Sequence, residues 1–161
     1  MPVRYRQSDV FLIPVADGAF ALGRVVVKAR GGNVLVAIYS ELAESLEGAV
    51  ELGRLPASRP VFLVEAMDLR IKDGTWRVVG NWTPPTELPT PVYKTQFEPG
   101  GDFFEQMIDG SVGRRLTADE ATRLKTQKSF SPALVEKAIR AFRGIEPWLS
   151  VFDELRTSEK A

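Results

Sequence analysis

The stretch SDVFLIPVADGAFALGRVVV, residues 8–27, decides the fold of the first half of this chain. Two apolar runs flank Asp17-Gly18, a dipeptide typical of tight hairpin turns. We therefore predict one strand over Val10 to Val15 and a second over Phe20 to Arg30. Pro14 has no amide hydrogen for a sheet ladder, so this first strand, or its end, is predicted to lie at a sheet edge.

The same pattern continues on the C-terminal side of this hairpin. Gly31-Gly32-Asn33 tolerates positive φ and predicts a second turn, so the chain returns as a third strand. The later strands are predicted over Val34 to Tyr39, over Val61 to Asp68, from Ile71 through the Asp73-Gly74 turn to Val79, and over Tyr93 to Phe97, the last closing the sheet.

Between the third and fourth strands, Ser40 can cap a helix, which predicts a helical insertion near 40–52. Its apolar face would carry Leu42, Leu46, Ala49 and Val50, and its outer face Glu41, Glu44, Glu47 and Glu51. The glutamate face is either the solvated side of an amphipathic helix or an acidic docking surface for a basic partner.

The second half changes character. Residues 81–91 contain four prolines and predict an extended connection, after which Phe103 and Phe104 pin a loop. Helices are then predicted from the Thr117/Glu120 capping box, from Ser131-Pro132 to Gly144, and from Glu146-Pro147.

These elements predict an α+β fold, with an antiparallel curved sheet or small SH3-like barrel in the first two-thirds and short helices packed on it at the C-terminus. We expect one domain, residues 1–161: a mainly β core over 1–98 with the helical insertion near 40–52, then a loop and helices over 99–161.

Composition restricts the chemistry. The chain has 161 residues, 21 basic and 21 acidic side chains, and neither His nor Cys. Disulfides, zinc-ribbon ligands and the Ser-His-Asp and Cys-His mechanisms are therefore excluded, and the zero net charge gives no overall attraction to nucleic acid or an anionic membrane. No apolar stretch is long enough to cross a bilayer. We expect a cytoplasmic protein with no catalytic residue, cofactor or metal.

Two surfaces could still bind nucleic acid. Arg24, Lys28 and Arg30 alternate along the second strand and could share a basic face, or form an ordinary solvated face. Trp76 and Trp82 are an even number of residues apart, so in a regular strand their side chains would share one face and could form a stacking platform for bases. Core packing explains Trp76 better.

Paired carboxylates can catalyse hydrolysis without His, so a carboxylate hydrolase is a third possibility. The acids that qualify by type are Asp9, Asp17, Glu65, Asp68, Asp73 and Asp102. Asp17 and Asp73 precede Gly in turns, which explains both, and no spacing singles out a catalytic pair.

Two motifs resemble a known family. The first motif of that family opens with Gly-Asp-Val-Phe and leads through a Gly-containing turn to Gly-[Arg/Gln]-Val; it is matched here by Ser8-Asp9-Val10-Phe11, Gly18 and Gly23-Arg24-Val25. The second motif is a strand that begins with Trp and ends in Gly-Asn; it is matched by the segment from Trp76 to Asn81. Over roughly residues 5–95 the chain resembles the bacterial polymorphic-toxin immunity proteins of the immunity protein 26 family. Ser8 stands where the pattern has Gly.

This resemblance implies a non-enzymatic antidote that binds a cognate protein toxin in the cytoplasm and blocks it. It transfers no catalytic residue. The residues we predict to bind the partner are Glu41, Glu44, Glu47, Glu51 and Trp82. A nucleic-acid-binding module using Arg24, Lys28 and Arg30 is the alternative, and the oligomeric state is left open.

Overall fold

The computed structural model describes residues 1–16, 18–43, 59–86 and 88–157. The strands form a five-stranded antiparallel sheet, ordered β4-β3-β2-β1-β5, and a three-stranded sheet, ordered β6-β7-β8. The elements are β1 (Asp9–Ala16), β2 (Ala19–Lys28), β3 (Asn33–Ala43), β4 (Phe62–Met67), α1 (Leu69–Lys72), β5 (Arg77–Asn81), β6 (Tyr93–Gln96), β7 (Phe103–Gln106), β8 (Val112–Arg115), α2 (Ala118–Arg123), α3 (Pro132–Phe142), and 3-10 turns at Arg30–Gly32 and Ser150–Leu155.

The predicted α+β class is confirmed, and within the described residues the sheet stays open instead of closing into a barrel. The hairpin from β1 to β2 pairs Val10 with Arg24 and continues to Ala16, as the Asp-Gly signal predicts. The pairing of β5 with β1 stops at Leu12. Among the residues that the structure describes, no strand pairs with Pro14 on that side of β1, which confirms the prediction for the end of this strand.

Each face of the large sheet buries a separate apolar cluster. One cluster contains Phe11 and Trp76 and is covered by α3 and the last 3-10 turn, which contribute Val135, Ile139 and Phe152. The other contains Leu12, Leu22, Val26 and Tyr39, and Trp82, Leu88 and Tyr93 pack against it. The C-terminal helices thus complete the core that the first strands begin.

Several local predictions hold in detail. The amide of Glu120 donates to Thr117 Oγ1 at 3.2 Å, and the amide of Thr117 donates to Glu120 Oε1 at 3.0 Å, which is the predicted capping box. Ser131 caps α3, and Gly144 follows its end at φ 76°. None of the helices in the described part of the chain is long and apolar enough to cross a membrane.

Other predictions are wrong. Ser40 does not begin a helix, because residues 40–43 continue β3, and residues 44–52 lie outside the described residues. Leu69–Lys72 is one helical turn instead of an extension of the meander. The strand from Tyr93 joins the smaller sheet, and the predicted loop after it contains β7 and β8. The third C-terminal helix is the 3-10 turn Ser150–Leu155.

Candidate functional site

The start of the first motif and the end of the second meet at one corner of the sheet. Asp9 is buried, and its Oδ2 accepts from the amide of Arg6 at 2.9 Å while its Oδ1 accepts from Asn81 Nδ2 at 3.0 Å. Ser8 has φ 70°, and among the described residues no other non-glycine residue has positive φ. The amide of Trp82 donates to the carbonyl oxygen of Ser8 at 2.9 Å. This corner joins β1 to the end of β5.

The remaining motif residues form an aromatic stack. Phe11 and Trp76 lie parallel, with ring centroids 5.4 Å apart, and a Cβ built on Gly23 would come 2.4 Å from Phe11 Cζ. The indole of Trp76 is fully buried, and its Nε1 donates to Glu136 Oε1 at 3.0 Å. Arg70 pairs with the same carboxylate at 3.3 Å. The motif residues therefore serve packing, which confirms the core interpretation of Trp76.

The structure places the predicted partner-binding residues on different faces. Glu41 lies near Arg143, just beyond α3, and its Oε2 is buried without a hydrogen-bond partner among the described residues. Burial lowers the pKa of Arg143, and the charge of Glu41 opposes that shift. Trp82 packs against the cluster that contains Leu12 and Tyr39. Three of the predicted residues lie outside the described residues: Glu44, Glu47 and Glu51.

The sequence analysis did not predict three exposed apolar side chains at the end of α3 and just beyond it. Phe142, Ile145 and Leu149 are exposed, although helical spacing puts Phe142 on the same side of α3 as the buried Val135 and Ile139. The rings of Phe142 and the buried Phe62 meet edge to face, with centroids 6.0 Å apart. Helical periodicity indicates on which side of a helix a residue lies, but it does not indicate how far along the helix that side is covered by the rest of the protein.

The two tryptophans do not form a stacking platform. Trp76 belongs to the cluster under α3, whereas Trp82 packs on the other face. The register of β5 against β1 shifts between Val10 and Phe11, which inserts an extra residue in β5. One inserted residue moves every later side chain of the strand to the opposite face of the sheet. The alternation of side chains along the sequence therefore does not predict the face of Trp82 from that of Trp76.

Arg24 is not available to a phosphate backbone. Its side chain points into the second apolar cluster, the residue is 2% exposed, and its Nε donates to Tyr39 Oη at 3.2 Å. A buried guanidinium held by a neighbouring hydroxyl is a structural group.

Lys28 does not share a face with Arg24 either, and Arg30 lies beyond the end of β2. Lys28 Nζ lies 5.2 Å from the ring centroid of Tyr5, and Arg30 Nη2 donates to the carbonyl oxygen of Gln127 at 3.2 Å. A register shift in β2 between Val25 and Val27 separates Lys28 from the phase of Arg24. The predicted basic face does not exist, and the nucleic-acid alternative has no support.

Glu65, in β4, is a buried carboxylate. Its Oε1 accepts from Asn33 Nδ2 at 3.0 Å and its Oε2 from Gln127 Nε2 at 2.6 Å. Burial raises the pKa of Tyr93 to about 12, and the charge of Glu65 adds to the shift. This polar group connects the large sheet to the segments around the small one.

The other candidate acids each have a separate partner. Asp68 accepts from Tyr5 and pairs with Lys72, Asp73 accepts from the amide of Thr75, and Asp102 pairs with Arg115. Asp17 lies outside the described residues. Among the candidate acids that the structure describes, no two share a partner, and no group of three acids in the described part of the chain is placed to hold a metal ion. A carboxylate hydrolase gains no support from this arrangement.

Two shallow clefts open on the surface. The larger, about 470 Å³, lies between the small sheet and α2 and is lined by Phe103, Arg115 and Thr117. The smaller, about 380 Å³, lies beside the Ser8 corner and is lined by Arg6 and Asn81. Neither contains a cluster of groups that would perform acid-base chemistry.

The sequence model of a family described as Immunity protein 26 matches residues 6–103. The match begins in the turn before β1 and ends at the first residue of β7, so it covers the Ser8 corner and the aromatic stack but not α2 or α3. Comparisons with curated proteins and with solved structures give no match.

Proposed function

The chain belongs to the immunity protein 26 family, and from that premise we propose that it is a non-enzymatic antidote that binds a cognate bacterial toxin in the cytoplasm and blocks its action. The family match over residues 6–103 is the observation that carries this proposal. An antidote of this kind works by obstruction, so its requirements are a rigid scaffold and a surface complementary to the toxin.

The geometry supports binding over chemistry. The motif residues are engaged in the Phe11–Trp76 stack and in the Asp9–Asn81 contact, and the candidate acids hold structural partners. A stable complex buries about 800 Å² on each partner. The surface outside the motifs is then where a partner is recognised.

We keep Glu41, Glu44, Glu47, Glu51 and Trp82 as the proposed partner-binding residues. Residues 41–51 hold four glutamates and no Lys or Arg, which suits a basic toxin surface. Glu41, whose Oε2 has no hydrogen-bond partner among the described residues, lies near Arg143, and the exposed Phe142 directly precedes Arg143 in the chain. A mixed apolar and charged surface of this kind is common in protein interfaces.

The test is rescue by coexpression with each bacterial toxin encoded near the gene for this protein. Cells that produce the toxin together with this protein should survive, and cells that produce the toxin with an unrelated folded protein should not. The two proteins should also elute together in size-exclusion chromatography. Cell death with both proteins demonstrably present, and no complex, would show that the proposed function is wrong.

A further inference from the structure

In the described part of the chain, one edge of the large sheet is open. β5 pairs with residues 9–12 of β1, and within the described residues no backbone hydrogen bond reaches its other edge. Arg77, Gly80 and Asn81 are exposed along it. Unpaired amide and carbonyl groups along a strand edge are a template for another strand.

The chain covers the opposite edge itself. At β4 the amide of Phe130 donates to the carbonyl oxygen of Glu65 at 2.9 Å, and the amide of Thr157 donates to the carbonyl oxygen of Val61 at 3.3 Å. The C-terminal segments thus cover β4 near both of its ends. Within the described residues, no segment does the same for β5.

The geometry of β5 favours close approach by another backbone. A Cβ built on Gly80 meets no atom within 4 Å, so packing inside the molecule does not require glycine there. Glycine inside a strand often marks a place where a second backbone comes near. The contact between Asn81 and Asp9 holds the end of β5 in place, which lowers the entropic cost of binding at this edge.

We propose that an extended, acidic segment of the toxin adds to β5 as a sixth strand of the large sheet. This inference rests on the proposed function and names the surface and the kind of segment that it recognises. Main-chain hydrogen bonds would supply affinity, and the side chains at the two ends of the strand would supply specificity.

The charges at this edge favour an acidic segment. Arg77 begins β5 and makes no ion pair with an acid among the described residues. At the other end, Arg6 lines the cleft beside Asn81; its side chain is 79% exposed, and its Nε lies 3.8 Å from the carboxylate of Asp9. Among the described residues, Arg77 is therefore the cation of this edge that has no acidic partner. Two features of this edge discourage unspecific pairing with other strands: the bulge opposite Val10 and Phe11, and the charge of Arg77. They favour a specific partner over a second copy of this chain.

Amide hydrogen exchange, measured on the free protein and on its complex with the toxin identified by the rescue experiment, tests this inference. Exchange of the outward-facing amides of β5 should slow by about tenfold or more in the complex, whereas β4 should be unchanged. A complex that forms while β5 exchanges as in the free protein would overturn this inference and leave the proposed function intact. Failure to form any complex would overturn both.

Self-pairing is a separate outcome of the same measurement. If two copies of the chain pair through β5, these amides will be protected without toxin, and the protection will increase with protein concentration. That result would also overturn the inference, because the edge would already be occupied.

Charge reversal at the edge tests the kind of segment. Arg77→Glu should weaken toxin binding by about tenfold, because it places a carboxylate against an acidic strand. Arg123→Glu, at an exposed arginine on α2, is the matched control and should leave the affinity unchanged. Both variants should keep the unfolding midpoint of the parent. Equal affinity of Arg77→Glu and the parent would overturn the acidic assignment.

Discussion

The rings of Phe11 and Trp76 lie parallel, with their centroids 5.4 Å apart and an angle of 2° between their planes. Phe11 comes from β1, and Trp76 immediately precedes β5, so the stack joins two neighbouring strands at the centre of the core. The most recognisable residues of the two motifs thus maintain the scaffold. Residues that select a partner are expected on the surface around this scaffold, where side chains can change without loss of the fold.

The close approach of Phe11 to Gly23 predicts that Gly23→Ala is destabilising. The added Cβ would lie 2.4 Å from the Phe11 ring, and this ring cannot move away freely because Trp76 is stacked against it. We expect a loss of about 1–3 kcal/mol in the free energy of unfolding. Denaturant unfolding measures it, and Gly80→Ala is the control because a Cβ there meets no atom within 4 Å.

A second substitution tests the same contact. Adding Phe11→Leu to Gly23→Ala removes the clashing ring, so the two substitutions together should cost less than the sum of each alone. Additive losses would show that the ring does not cause the destabilisation.

The left-handed backbone at Ser8 predicts that Ser8→Gly is stabilising. At φ 70° a side chain is strained and glycine is not, so the substitution should raise the free energy of unfolding by up to about 1 kcal/mol. Ser8→Ala keeps a Cβ and should show no such gain. Thermal unfolding of the three proteins measures the difference, and a lower midpoint for Ser8→Gly would contradict the strain.

Signals contained within a few residues predicted structure well. Asp17-Gly18 and Gly31-Gly32-Asn33 identified two hairpins, and Thr117 with Glu120 identified the start of α2. Such signals depend on backbone geometry that the neighbouring residues determine themselves. The predictions that failed depend on pairing partners far away in the chain.

The shifts in register are the clearest example. An inserted residue opposite Val10 and Phe11 separates Trp76 from Trp82, and another between Val25 and Val27 separates Arg24 from Lys28. A shift of this kind depends on the paired strand, so alternation along one strand does not reveal it. For the same reason the candidate site was predicted only in part: Glu41 and Trp82 remain predictions, and the open edge of β5 became visible only with the strand order.

The ion pair of Glu120 with Arg114 predicts a pH-dependent part of the stability. The hydrogen bond from Arg114, and then the amide of Thr117, lower the pKa of Glu120 to about 2 from its ordinary value of 4.5. A lowered pKa in the folded state stabilises the protein above the unfolded pKa, and this contribution is lost as the pH falls towards 2. Glu120→Gln keeps the capping hydrogen bond but not the charge.

The thermal midpoint of the parent should therefore exceed that of Glu120→Gln by a constant amount above about pH 5.5, where the carboxyl group is ionised in both states. The difference should shrink as the pH falls from 4.5 and nearly vanish at about 2. Parallel midpoint curves through this window would show that the ion pair with Arg114 does not stabilise the fold.

The glutamates after β3 predict a change in association with the toxin. Reversing Glu44, Glu47 and Glu51 to Lys should slow association and weaken binding while leaving the thermal midpoint nearly unchanged, because charges at the rim of an interface act mainly on encounter. Glu41→Lys is kept as a separate variant, since one of its carboxylate oxygens is buried and replacing it also disturbs packing near Arg143. Association rates at low and moderate salt measure the effect, which should diminish as salt rises. If the triple variant associates at the parental rate, these three glutamates do not face the toxin, and the open edge of β5 becomes the leading surface to test.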